Sequence, residues 1–98
     1  MIIRQKNIEI SILQLNSLLD EKQKESFDFL LNNGVYCAAC NSHKNGTNIF
    51  QVILNELNDI MVHGTCKVCE GKVTRIIELG EEKTFYQKAI FFRETLMN

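Results

Sequence analysis

Four cysteines in two Cys-x2-Cys pairs constrain this chain more than anything else in it. Cys37-Ala38-Ala39-Cys40 and Cys66-Lys67-Val68-Cys69 contain every cysteine of the 98 residues. Two intervening residues let both sulfurs of one tight turn point at the same ion. Two such turns complete a tetrahedral thiolate set of the kind Zn²⁺ prefers. The spacing predicts one metal site with Cys37, Cys40, Cys66 and Cys69 as its ligands. The residues after each pair suit the turn. Asn41 enters the left-handed region more easily than most residues, and Glu70 is followed by Gly71, a permissive position. The plainer alternatives are two disulfides or four free thiols. Disulfides belong to an oxidising compartment, to which nothing in the sequence points. A thioredoxin-like redox motif uses one pair in a βαβ setting, and here there are two pairs and no such unit. His43 and His63 lie three residues outside the pairs. With four sulfurs at hand they read as surface residues or as hydrogen-bond partners around the site.

Ninety-eight residues make one domain, 1–98. A core of that size is small, and a structural metal is a common supplement to it. The net charge is −1: residues 1–36 carry four cations and five anions, residues 37–80 four of each and residues 81–98 three of each. No segment is basic, so the clustered lysines and arginines that drive non-specific nucleic-acid binding are absent from the sequence, although the fold could gather Lys44, Lys67, Lys72 and Arg75 on one face. The N-terminus lacks the plan of a signal peptide: Arg4 and Lys6 follow the first isoleucines, and polar residues break the run from Ile8 to Leu19. That run is also too polar to span a bilayer. A cytoplasmic protein with reduced cysteines and no membrane contact is the simplest expectation.

Residues Asn7 to Gln14 alternate, with Ile8, Ile10 and Ile12 on one side, which predicts a half-buried strand. Ser17-Leu18-Leu19-Asp20 matches a capping box with Asp at its end, and Asp20 can equally be the cap. A helix from Leu18 or Glu21 to Asn32 follows, stopped by Asn33-Gly34. Asn45-Gly46 is a strong turn signal. Thr47 to Leu57 carries both helical spacing and strand-type residues; a strand is preferred because Asn58-Asp59 makes a turn and Ile60 to Thr65 returns to the second cysteine pair. Lys72 to Glu78 is a further strand. Glu81 to Met97 reads as a helix with acidic residues in its first turn. Its stripe is Phe85, Ala89, Phe92 and Leu96, with Tyr86, Ile90 and Met97 alongside, Phe91 pointing elsewhere and Arg93 inside the apolar face.

The two cysteine pairs, with apolar segments between and after them, resemble the zinc ribbon family over about Tyr36 to Gly80. The resemblance implies a three-stranded sheet with the metal between two turns. The expected fold is thus a small α+β domain: an N-terminal strand and helix (1–36), a zinc ribbon (37–80) and a C-terminal amphipathic helix (81–98). The cysteine pattern also resembles rubredoxin, an iron electron carrier, but Tyr36 and Phe50 are the only aromatics between 36 and 69, fewer than that family shows.

Four thiolates leave no open position for a catalytic water. Neither His43-Lys44-Asn45 nor His63-Gly64-Thr65 supplies the His-x-Glu of a zinc deaminase, and neither pair follows a proline. No phosphate loop or nucleophile signature is present. The expectation is a non-catalytic, zinc-bearing adaptor whose partner is another protein, or a second copy through Phe85, Phe91 and Phe92 of the C-terminal helix. Nucleic-acid binding and iron-based electron transfer are the alternatives.

Overall fold

The computed structural model describes residues 6–96, so Arg4 and Met97 lie outside the described residues. The elements run β1 (Ile8–Ile10), α1 (Ile12–Leu18), α2 (Glu21–Asn33), β2 (Thr47–Leu54), β3 (Ile60–Cys66), β4 (Lys72–Ile77) and α3 (Lys83–Leu96). The strands form one antiparallel sheet in the order β1-β2-β3-β4. The expected three-stranded sheet is therefore corrected to four. Ile8, Glu9 and Ile10 pair with Leu54, Ile53 and Val52, which joins the N-terminal segment to the hairpin.

The expected strand from Asn7 to Gln14 stops at Ile10 because Ser11 begins a helix. Its hydroxyl accepts from the Gln14 N–H at 3.0 Å, and the Gln14 side chain accepts from the Ser11 N–H at 2.8 Å. That reciprocal capping box outweighs the alternation that Ile12 would have continued. Asp20 and Gln23 repeat the device at the start of α2. The cap of α2 is therefore Asp20, and Ser17 lies within α1.

The core lies between one face of the sheet and the helices. Ile10, Val52, Leu54, Ile60 and Val62 point inward from the strands. Leu15, Leu18, Leu19, Phe27, Phe85 and Ala89 meet them from the helical layer. In β2 a bulge at Phe50 breaks the alternation, so Ile49 and Val52 both turn toward the core side. A bulge inserts an extra residue and so mimics a helical spacing of three. This is the physical source of the ambiguity read from Thr47 to Leu57. The helix α3 begins at Lys83, after the acidic residues Glu81 and Glu82. Its buried line is Phe85, Ala89 and Arg93, with Phe92 packed against the core, while Leu96 is half exposed.

Gly64 sits on β3 opposite Ile49 of β2, beside the bulge at Phe50. A Cβ there would overlap the Asn48 carbonyl oxygen and approach the Thr47 Cγ2 to 2.7 Å. Overlap with paired backbone cannot be relieved by a side-chain rotation. Gly64→Ala is expected to cost about 3 kcal/mol, measured as a lowered denaturation midpoint with unchanged slope.

Candidate metal centre

The two cysteine turns are built alike. In the first, the Cys37 N–H donates to the Ser42 carbonyl at 2.8 Å, and the Ser42 N–H donates to the Cys37 carbonyl at 3.2 Å. In the second, the Cys66 N–H donates to the Gly71 carbonyl at 2.8 Å, and the Glu70 N–H donates to the Cys66 carbonyl at 2.9 Å. Each turn has a left-handed residue directly after its second cysteine: Asn41 at φ 51° and Glu70 at φ 64°. Asn41 was legible in the sequence. At the second turn the sequence points to Gly71 as the permissive residue, but Glu70 takes the left-handed position. Gly71 instead donates its N–H to the Cys69 sulfur at 3.4 Å.

These turns bring the four sulfurs together. All four Sγ atoms lie within 4.8 Å of one another, and those of Cys37 and Cys69, from opposite turns, are 3.4 Å apart. Four sulfurs each bonded to one ion at about 2.3 Å form a tetrahedron with edges of about 3.8 Å, so the cluster fits a single tetrahedral ion. All four cysteines are free, and the disulfide alternative does not describe this arrangement. Cys37 and Cys66 are buried, Cys40 is half-buried and Cys69 is exposed. Val35 and Val73 pack against the cluster and form, with Cys37 and Cys66, an apolar group separate from the main core.

The thiols are not equivalent in the metal-free chain. The Cys69 sulfur beside it, and then burial, push Cys40 up to about 12. The backbone N–H groups of Cys69 and Val68 bring Cys66 down to about 6. A cation entering the cluster must displace the Cys40 proton, so its affinity falls as the pH drops.

Neither histidine belongs to the cluster. His43 is exposed. The His63 Nδ1 pairs with the Thr74 hydroxyl at 2.9 Å, and its ring stacks on Phe50 at 6.4 Å. The sequence marks Asn45 as a turn residue, and its side-chain amide also donates to the Cys66 sulfur at 3.6 Å. The polar side chain of the Asn-Gly turn was the available signal. Gly46, at φ 81°, accepts from the Lys67 N–H and ties that turn to the second cysteine pair.

The other named surface residues fall in different places. Strand register sets Lys72 beside Thr65 and Arg75 beside Val62, so these two cations project from opposite faces of β4 and form no common patch. Phe85 is buried in the core and Phe92 packs against it; Phe91 is 70% exposed. Among the described residues no helix is long and apolar enough to cross a membrane. No protein-family profile, no curated protein and no solved structure matches the chain.

Proposed function

We propose that the chain is a non-catalytic adaptor of zinc-ribbon type. In this reading Cys37, Cys40, Cys66 and Cys69 hold one Zn²⁺ as a structural ion, and the stapled sheet recruits another protein. The observation that carries the reading is the convergence of four free sulfurs, two from each turn, within 4.8 Å. A complete thiolate set holds its ion without an open position for water or substrate, which favours a structural role. The second metal turn ends β3 and opens β4, so an ion there would fix the register of the strands that cross the core. A balanced net charge of −1 and the separation of Lys72 from Arg75 favour a protein partner over a nucleic acid.

Native mass spectrometry with elemental analysis tests the metal. One zinc per chain and a colourless protein are expected. A red protein with one iron per chain would replace this reading with electron transfer.

A further inference from the structure

The sheet has two edges of unequal character. The strand β1 is three residues long and passes at once into α1. The strand β4 spans six residues, Lys72 to Ile77. The Cys66 N–H bonds the Gly71 carbonyl, which fixes the ladder phase between β3 and β4. In an antiparallel ladder the hydrogen-bonded pairs alternate. Val73, Arg75 and Ile77 thus face β3 with their backbone groups, and Lys72, Thr74 and Ile76 turn theirs to the free edge. Among the described residues no hydrogen bond meets those N–H and C=O groups. All three residues are exposed.

A groove of about 330 Å³ adjoins the same edge on the helical side. Its apolar lining is Leu19, Phe27, Leu30, Ile77 and Leu79, and Asp20, Lys22 and Glu82 also line it. It lies where the inner face of one more strand would run beneath α2. The strand β4 itself carries two cations, Lys72 on the outer face and Arg75 on the inner, and no acid.

We propose that the β4 edge and this groove together form a docking site for an extended, acidic segment of a partner protein, added to the sheet as a fifth strand. The inference rests on the protein-recruitment reading above and gives it a surface. Main-chain bonds to Lys72, Thr74 and Ile76 supply affinity, and alternate side chains supply specificity. An apolar residue opposite Ile77 enters the groove under α2. Carboxylates opposite Lys72 and opposite Arg75, whose Nη1 also donates to the Gly34 carbonyl at 3.4 Å, complete the match. A second copy of the chain offers less than an acidic strand, because β4 holds no carboxylate to set opposite Arg75. Pairing two β4 strands so that Lys72 meets Glu78 sets the two Arg75 side chains directly opposite one another, and like charges across a ladder are destabilising. The cations of this edge thus oppose self-pairing in that register and favour an acidic strand.

The test uses the metal-loaded full chain and a blocked peptide, acetyl-Leu-Val-Glu-Thr-Val-Glu-amide, written to run antiparallel to β4 from Ile77 to Lys72. Binding is expected to slow amide exchange at Lys72, Thr74 and Ile76, and to be at least about tenfold tighter than for the same peptide with lysine in place of glutamate. Thr74→Pro removes an outward N–H at an edge position where proline is tolerated, and is expected to weaken binding about tenfold or more. Ser26→Trp, at an exposed helix position lining the groove, is expected to do the same by filling it. Each variant is first checked for the native melting transition. Absence of binding at millimolar peptide, binding that Thr74→Pro and Ser26→Trp leave unchanged, or protection that appears elsewhere overturns the assignment. So does a dimer that Thr74→Pro dissolves. A cellular protein bound equally by wild type and both variants overturns the edge assignment and leaves the adaptor reading standing. Recovery of none removes both.

Discussion

Removing the metal is expected to unfold the chain cooperatively. A strong chelator, or Cys66→Ser, should abolish the far-ultraviolet signature of the sheet and the thermal transition together. A structural zinc bound by cysteines contributes about 10–16 kcal/mol at neutral pH, whereas a domain of this size is stable by about 5–15 kcal/mol. The loss is therefore of the same size as all that holds the chain folded. Without an ion, the metal end retains only Val35, Val73 and three cysteines as its apolar packing. The four sulfurs would then be gathered at close range with no attraction to offset the order imposed on both turns.

The sites should differ in a defined order. Cys66 is buried at the end of β3 and receives the Asn45 amide, while Cys69 is exposed. Cys66→Ser is expected to be the more damaging. Acid acts in the same direction as chelation: as the pH falls the sulfurs take up protons, the ion leaves and stability is lost. For the metal-free thiol of Cys66, lowered from 9.0 to about 6, the contribution to folding is present above pH 9 and lost as the pH falls through about 6. For Cys40, raised from 9.0 to about 12, it is present below pH 9 and lost as the pH rises through about 12. A chain that keeps its native spectrum after complete metal removal would contradict the structural role assigned to the ion.

The sequence carried the site more plainly than the fold. Cysteine spacing is a local signal, and two short spacings sufficed to bring Cys37, Cys40, Cys66 and Cys69 into one cluster. The hairpin was legible because Asn58 and Asp59 lie between two runs of strand-forming residues, and Asn58 does occupy the left-handed region at φ 61°. Helix α1 was hidden by a conflict of two local signals. Ile8, Ile10 and Ile12 alternate like a strand, while Ser11 and Gln14 close a capping box, and the cap determined where the strand ended. The fourth strand of the sheet was not legible because the pairing of Ile8 with Leu54 joins residues distant in sequence, and no local pattern states it. The tertiary role of Arg93 was hidden for the same reason. It was visible as a charge within an apolar stripe, but its acceptors belong to segments far away.

Arg93→Met is expected to destabilise the protein by about 3 kcal/mol, a fall in melting temperature of roughly 15 °C for a domain of this size. The guanidinium is buried in the last turn of α3. Its Nε donates to the Asn58 side-chain oxygen at 2.7 Å, and its Nη2 donates to the Asn55 carbonyl at 2.5 Å and the Leu54 carbonyl at 3.5 Å. Its Nη1 donates to the Lys6 carbonyl. One side chain thereby joins the C-terminal helix to the β2–β3 turn and to the segment leading into β1. Burial lowers its pKa, yet a guanidinium remains charged in proteins. The carbonyls and amide around it are dipoles aligned to that charge. Methionine keeps the stem's volume and removes every donor, leaving the Asn58 amide, only 2% exposed, without that partner. Unsatisfied buried groups cost about 1–3 kcal/mol each, which sets the size of the effect. Lysine should recover little, since a single ammonium cannot span acceptors arranged for a planar fork. Asn58→Gly permits the left-handed backbone and deletes the acceptor. In a double-mutant cycle with Arg93→Met it should show a coupling of about 1–2 kcal/mol. A coupling near zero, with Arg93→Met within about 0.5 kcal/mol of wild type, would mean that the contact is not what holds α3 to the turn.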